Sequence, residues 1–433
     1  MKLLKKLKDL PIHQILFFLF TLTIPIQTRI IFNSDQAYIG QYFSYYQAFF
    51  LYFSDILLIA TIVSWLAFDF PANVLQKRSF RLILAFLALL LVSLFHVKRL
   101  ALGLYAAFKW LELWLLTLYI SETFKTKRQF ELLFGTLFFL GTAEAILGII
   151  QFHVQHSLGL TIIGEYIAPL GTLGLATVQH GSEKLIRAYG TMPHPNILAG
   201  FLLISLICGF YFVSRETRTN KWLAGLMLML LYFGIFFTFS RLVWFLALVA
   251  TVGFIVFSYY KEKKLLFIPL FALLISGSTI FAAYGSLAAG WAIELPDSQS
   301  ITLRETFNGR GLSLIQAYPL LGVGPGNYLE ALKEKYPNLA AWEYQPPHNI
   351  FILLAAELGI LGASLFVIIL FEIFKPLLNI SNQLLSFLVF TASFLLLIVG
   401  LFDHYLITIQ QGSLVFFSVL GMLAAMANLK LPE

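Results

Sequence analysis

The feature that most constrains this sequence is a series of uninterrupted apolar runs, each roughly 17–24 residues long. Their apolar residues are continuous and do not alternate with polar ones, which is typical of membrane-spanning helices. Only 12% of the residues are charged, whereas a soluble chain has about 25%. Because backbone amides must be paired inside a bilayer, such runs fold as helices. We therefore predict an all-α integral membrane protein with about twelve transmembrane helices. They are expected at residues 13–33, 47–69, 81–96, 101–120, 130–151, 195–213, 222–239, 242–258, 264–285, 349–373, 384–402 and 408–428.

Basic residues lie in alternate loops between these predicted helices. The loops of one side hold 18 of the 29 lysine and arginine residues. Short basic loops remain in the cytoplasm, so this side is predicted to be cytoplasmic, with both termini inside. The residues are Lys2, Lys5, Lys6, Lys8, Lys77, Arg78, Arg81, Lys125, Lys127, Arg128, Arg215, Arg218, Lys221, Lys261, Lys263, Lys264, Lys375 and Lys430. The net charge of +7 is thus a topology signal, and no nucleic-acid partner is expected.

The rest of the chain indicates a single polytopic domain over residues 1–433. The one cysteine, Cys208, lies in an apolar run, so neither an intramolecular disulfide nor a cysteine metal site is possible. No cleavable signal peptide is expected, because the first apolar run is long and no small-residue cleavage site closes it. We find no internal repeat and no low-complexity tract.

Two predicted outer segments are long, at about 152–194 and about 286–348. Loops of more than about 15 residues are commonly functional. The first segment is apolar enough to lie in the membrane interface. The second is expected to hold short helices near 305–317 and 327–335. It ends in Pro-Pro-His-Asn, which places His348 at the mouth of a membrane helix.

Four motifs follow one another at this outer face. They are IRAYGTMPHPNILAGFL, FTFSRLVWF, LRETFNGRGLSLIQAYPLLGVGPGNYL and PHNIFILLAAELGILG. In order, spacing and placement they resemble the O-antigen ligase and O-antigen polymerase superfamily of membrane glycosyltransferases. The resemblance covers about residues 187–362, and it implies a membrane-glycosyltransferase (GT-C-like) architecture.

The resemblance also implies a reaction. Family members take a glycan from an undecaprenyl-diphosphate carrier at the outer face of the bacterial cytoplasmic membrane. A ligase moves it to a sugar of lipid A-core, and a polymerase moves it to another lipid-linked repeat. Ligase activity is the leading prediction and polymerase activity stays open. No metal and no cofactor is expected. The matched positions imply catalytic roles for Arg187, Arg304 and His348, with Arg241 as a substrate-binding candidate.

These residue types suit the chemistry. A diphosphate leaving group develops negative charge, and an arginine fork makes two charge-assisted bonds to phosphate oxygens without a metal. The attacking sugar hydroxyl must lose a proton, which a neutral histidine can accept. Arginines at helix ends also extend to lipid headgroups, but Arg187, Arg241 and Arg304 lie on the predicted outer side, against the basic bias.

Four further substrate-binding candidates each have a structural alternative. Asn349 begins a predicted helix, where its side chain could cap free amides, and His194 lies at a helix entry that could be purely structural. Gly324 and Gly326 belong to GVGPGN, which is either a tight turn or a loop whose amides touch diphosphate. Asp403 and His404 lie near a predicted outer helix end and could face the same cavity.

Two other functions are weighed against this one. A metal-dependent transferase would use paired carboxylates in the outer loop between the first two predicted helices, but Asp35 is the only acid in that loop. A transporter or flippase of lipid-linked glycan predicts broken or charged helices at the membrane midplane and repeat symmetry. The polar groups of this chain cluster instead at one face, beside the two long outer segments.

Overall fold

The computed structural model describes residues 11–172, 174–214, 221–261, 267–293, 298–375 and 383–429. The predicted basic residues at 1–10, 215–220, 262–266 and 430–433 lie outside the described residues, as does part of the second outer segment, 294–297. The described chain is a bundle of α-helices with three two-stranded antiparallel sheets. This confirms the predicted all-α membrane class.

The helices are α1 Ile12–Leu22, α2 Phe53–Phe68, α3 Arg78–Ser93, α4 Leu100–Thr123, α5 Lys127–Val154, α6 Pro195–Val213, α7 Lys221–Phe237, α8 Arg241–Lys261, α9 Phe267–Ile293, α10 Ser298–Ala317, α11 Tyr328–Lys335, α12 Ile350–Phe374, α13 Gln383–Phe402, α14 Tyr405–Thr408 and α15 Gln410–Ala425. The strands are β1 Arg29–Ile31, β2 Tyr38–Ile39, β3 Tyr42–Phe43, β4 Phe50–Tyr52, β5 Thr177–His180 and β6 Glu183–Ile186. They pair as β1 with β4, β2 with β3 and β5 with β6, all antiparallel.

Eight helices in the described part of the chain are long and apolar enough to cross a membrane. They are α3, α4, α5, α6, α8, α9, α12 and α13. The apolar helices α1, α2, α7 and α15 are shorter. These twelve elements lie at the twelve predicted positions, whereas the number that cross the membrane stays a prediction.

The largest local difference from prediction lies between α1 and α2. The first helix ends at Leu22 and not near residue 33, and the second begins at Phe53. Pro25 lacks an amide hydrogen, so it cannot continue the ladder of helical hydrogen bonds. The segment that follows, with the β-branched Ile30 and Ile31, forms β1 instead and pairs with β4.

Two helices form the centre of the bundle. Almost every residue of α6 is buried, and it packs against α5, α7, α8 and α13. Helix α15 is also buried nearly throughout and packs against α4 and α13. A helix that is apolar on all sides must be surrounded by other helices or lipid, which explains these central positions.

The ends of several helices meet at one face. The rings of Phe152, at the end of α5, and Phe237, at the end of α7, stack with centroids 4.5 Å apart. The indole nitrogen of Trp291, near the end of α9, donates to the carbonyl of Phe239, which precedes α8 (3.1 Å). The long predicted outer segments therefore leave and join the bundle around a common point.

Candidate active site

A cavity of about 590 Å³ lies at this meeting point. Its lining includes four cationic side chains that come from three separate places in the sequence. They are Lys184 on β6, Arg187 just after it, Arg241 at the first residue of α8 and Arg304 on α10. The four positive charges repel one another, and binding of a polyanion would stabilise them. The three arginines predicted from the sequence are thus brought together.

Arg187 is held rigidly in the wall of the cavity. Its Nε donates to the carbonyl of Thr238 (2.6 Å), and one terminal nitrogen donates to Oδ1 of Asn196 (3.0 Å). Burial, together with the nearby charges of Arg304 and Arg241, lowers the pKa of Arg187 to about 10. The guanidinium therefore stays protonated at neutral pH.

Arg241 and Arg304 differ in how they are held. Arg241 donates from Nε to the carbonyl of Trp291 (3.0 Å), and its guanidinium lies 4.4 Å from the centroid of that indole ring. Arg187 also contacts this ring, at 5.7 Å. Among the described residues, Arg304 makes no hydrogen bond or ion pair. Its fork is therefore available to a ligand.

His348 faces Asp403 beside this cavity, which Asp403 also lines. Nδ1 of His348 lies 3.7 Å from Oδ1 of Asp403, which is beyond hydrogen-bond distance, and it bonds to no other described residue. Burial alone would raise the pKa of Asp403, but the attraction of His348, His404 and His194 lowers it below its usual range. Asp403 is therefore an anion at neutral pH. Catalytic hydrogen bonds are often long in unliganded enzymes and shorten in the complex.

A chain of hydrogen bonds connects Arg187 to Asp403, the residue that His348 faces. Asn196 accepts from Arg187 through Oδ1, and its Nδ2 donates to Oδ2 of Asp403 (3.3 Å). The backbone amide of His404 donates to Oδ1 of Asp403 (2.8 Å). The position of Asp403 is thus coupled to Arg187.

Asn349 is a helix cap. Its Oδ1 accepts from the amides of Phe351 (2.9 Å) and Ile352 (3.2 Å), as expected for an N-cap residue. Its Nδ2 donates to the carbonyl of Leu401 at the end of α13 (3.1 Å). This second contact fixes the start of α12 against the end of α13, which places His348 beside Asp403. Both polar atoms of the Asn349 side chain are engaged in these contacts. Its predicted role in substrate binding stays a prediction.

His194 also caps a helix. Its Nδ1 accepts from the amide of Asn196 (3.1 Å) at the start of α6. Burial and the charge of Arg187 lower the pKa of His194 to about 3, so it is neutral at neutral pH. His194 does not line the cavity that contains Arg187, Arg241 and Arg304, which we call the arginine cavity.

We expect His194→Asn to keep the transferase activity that the sequence resemblance implies within a few-fold of the wild-type rate. Asparagine is an efficient N-cap, whereas His194→Ala should lower the free energy of unfolding by about 1 kcal/mol. Steady-state transfer assays and thermal melts on both variants test this. A loss of transfer of a hundredfold or more in the asparagine variant would instead assign His194 to substrate binding.

The glycine-rich loop is placed away from the arginine cavity. The amides of Val323 and Gly324 donate to the carbonyls of Ala356 (2.9 Å) and Glu357 (2.8 Å), where α12 is broken at Gly359 with φ +67°. The amide of Gly326 faces the carboxylate of Glu357. These glycine amides therefore hold the loop on α12, and the structure does not bring Gly324 or Gly326 to the other candidates.

One group of side chains could hold a metal ion. His348, Asp403 and His404 each offer one ligand atom, and these atoms lie within 4.8 Å of one another. Two imidazoles and a carboxylate are ligands that zinc and related divalent ions accept. Both oxygens of Asp403 already accept hydrogen bonds, and Nδ1 of His404 contacts the hydroxyl of Thr408 (2.8 Å). An ion would have to compete with these contacts.

Sequence reasoning missed Asn196, Lys184 and Trp291. Asn196 was part of the quoted helix-start motif, and its proximity to Arg187 in sequence was a usable signal. Lys184 and Trp291 carried no signal, because only the tertiary arrangement brings β6 and the end of α9 to this cavity.

No curated protein matches the sequence. A solved chain from a structure titled "Structural coordination of polymerization and crosslinking by a peptidoglycan synthase complex" is 14% identical, with a TM-score of 0.37, and covers 79% of this chain and 96% of its own. A likeness at that level carries no argument about fold or function.

The family of O-antigen ligases matches this chain over residues 224–367. The matched segment contains Arg241, Arg304 and His348, whereas Arg187 and Asp403 lie outside it. The family is one of glycosyltransferase-type ligases and polymerases. The match covers about a third of the chain, and it confirms the resemblance of the sequence motifs to the O-antigen ligase and polymerase superfamily of membrane glycosyltransferases.

Proposed function

We propose that this protein is a transferase of the O-antigen ligase type. It moves a glycan from an undecaprenyl-diphosphate carrier to a sugar of lipid A-core, at the outer face of the bacterial cytoplasmic membrane. The observation that carries this proposal is the single cavity lined by Arg187, Arg241 and Arg304, with His348 and Asp403 beside it. A lipid diphosphate is the polyanion that such a cavity suits, and a sugar hydroxyl is the group that needs a nearby base.

The arginines stabilise the leaving group in this mechanism. When the bond between the anomeric carbon and the diphosphate oxygen breaks, its electron pair passes to the diphosphate. Preorganised cations at that point are commonly worth several kcal/mol in the transition state. Arg187 and Arg241 are held by protein contacts, whereas the fork of Arg304 is unpaired among the described residues. Arg304 therefore has the largest capacity to bond phosphate oxygens.

His348 receives the proton of the acceptor hydroxyl in this mechanism. The anion of Asp403 lies opposite Nδ1 of His348 and so favours the tautomer that carries its proton there. Nε2 is then the basic nitrogen. The acceptor oxygen bonds to the anomeric carbon as its proton passes to Nε2, and undecaprenyl diphosphate leaves. A single displacement of this kind inverts the anomeric centre, which NMR of the product can check.

The test uses purified full-length protein in liposomes with a lipid-linked oligosaccharide, with and without lipid A-core. We expect a glycan–lipid A-core product only when lipid A-core is present. A ladder of longer lipid-linked glycans without it would replace the ligase assignment by a polymerase. Movement of labelled lipid across the bilayer with no glycan transfer would replace both by a transporter.

A chelator distinguishes the metal-independent mechanism from its alternative. We expect transfer to persist in EDTA, because arginines neutralise the leaving group. Loss of activity in EDTA that zinc restores would assign the group of His348, Asp403 and His404 to a metal ion instead.

A further inference from the structure

A second and larger concavity lies on the outer segments. This outer groove has a volume of about 1030 Å³, and its lining residues come from the stretches 27–31, 41–45, 161–172, 174–175 and 189–193, together with Ala341. It is larger than a pocket for one small molecule, which typically measures about 300–1,000 Å³. Its lining shares no residue with the arginine cavity.

Aromatic rings with polar edges line the outer groove. They include Tyr42, Tyr45, Tyr166 and Tyr189. The side chain of Tyr166 is 69% exposed and that of Tyr45 is 37% exposed, although both are large rings. Exposed tyrosines offer a flat apolar face beside a hydroxyl, which is common at binding surfaces.

Hydrogen-bonding groups lie between these rings. Arg29 donates to Oε1 of Gln27 (2.5 Å) and to the hydroxyl of Tyr45 (3.3 Å), so the guanidinium is fixed in the wall. Gln41 is exposed and also lines the groove. Arg29 is the one charged side chain in the described lining, so the groove does not resemble the strongly cationic arginine cavity.

The groove adjoins the candidate active site through two stretches of chain. Residues 189–193 line it and lie between Arg187 and His194. Ala341 also lines it, and the hydroxyl of Tyr42 lies near the side chain of Gln345, three residues before His348. A ligand in the groove would therefore extend toward the histidine.

We propose that the outer groove binds the glycan chain of the acceptor. The apolar faces of sugars stack on aromatic rings, and their hydroxyls bond to amide, hydroxyl and guanidinium groups. A lipid tail would leave those polar groups without partners, at a cost in free energy. One lining residue, Ala341, belongs to the segment that carries His348, which must meet the acceptor hydroxyl, and the groove lies outside the cavity proposed for the donor diphosphate. This inference rests on the proposed function.

The test compares Tyr166→Ala and Gln41→Ala with the wild type. Both side chains are exposed, so the fold does not depend on them. We expect each variant to raise the KM for lipid A-core by about 2- to 10-fold, with little change in kcat or in the KM for the lipid-linked donor. Tyr166→Phe should retain most of the affinity, because the ring face remains. Phe32→Ala is the matched control, since it removes a 66% exposed ring that lies outside the lining.

A binding measurement separates this inference from the proposed function. Saturation-transfer NMR with the core oligosaccharide released from lipid A needs no catalysis, and we expect its signal to fall in Tyr166→Ala. If the wild type transfers no glycan, the proposed function fails while this measurement still stands. A rise in the KM for the donor alone would overturn the assignment to the acceptor. Unchanged kinetics and unchanged binding in both variants would overturn the groove as a glycan site.

Discussion

Replacing His348 with glutamine is expected to lower kcat by about 10²- to 10⁴-fold, which is the usual contribution of a general base. Glutamine keeps a polar group near the same place but cannot accept the proton of the acceptor hydroxyl. Binding of the donor should change little, because the arginine cavity is untouched. Single-turnover assays with reconstituted protein measure the chemical step directly.

The control for this variant is His156→Gln. His156 is exposed, contacts the carbonyl of Ser157 and lies outside both cavities. We expect wild-type kinetics there. Thermal melts should show that His348→Gln is folded, because Nδ1 of His348 makes no hydrogen bond to a described residue. A His348→Gln variant with a near-normal rate would remove the base from the mechanism.

Arg304→Ala is expected to lower kcat by about 10²- to 10³-fold, the effect of removing one group that stabilises developing charge. Arg304→Lys should recover part of that loss, because it restores the charge without the two-pronged geometry. The fold should tolerate both changes, since Arg304 makes no hydrogen bond or ion pair to the described residues. Rates measured at saturating donor test this.

Arg128→Ala serves as the matched control, because Arg128 is an exposed arginine at the predicted cytoplasmic end of α5. Its rate should equal that of the wild type. Full activity in Arg304→Lys would mean that charge alone suffices. Full activity in Arg304→Ala would show that this side chain does not meet the leaving group.

The helices could be predicted from sequence because each continuous apolar run indicates a membrane helix without reference to the rest of the chain. Helix α6 was predicted at 195–213 and occupies those residues, and α12 was predicted within one residue at each end. The convergence of Arg187, Arg241 and Arg304 also followed from sequence, since alternating spans bring their ends to one face. The strands near Arg29 did not follow, because the pairing of β1 with β4 joins segments about twenty residues apart.

The contacts within the site could not be predicted in this way. Asp403 was recognised only as a residue near an outer helix end. Its contact with Asn196 depends on how α13 packs against α6, and no local pattern encodes that packing. The glycine loop was ambiguous for a similar reason. Its amides pair with α12 because that helix breaks at Gly359, which the apolar run around it did not indicate.

The central claim is that the arginine cavity binds the diphosphate of a lipid carrier. The most direct measurement is the Kd of undecaprenyl diphosphate for reconstituted wild type, Arg304→Ala and Arg128→Ala, without acceptor, at low and high salt. We predict that Arg304→Ala raises the Kd by about tenfold or more, that salt weakens wild-type binding, and that Arg128→Ala has no effect. Equal affinities in all three proteins at both salt concentrations would contradict the claim.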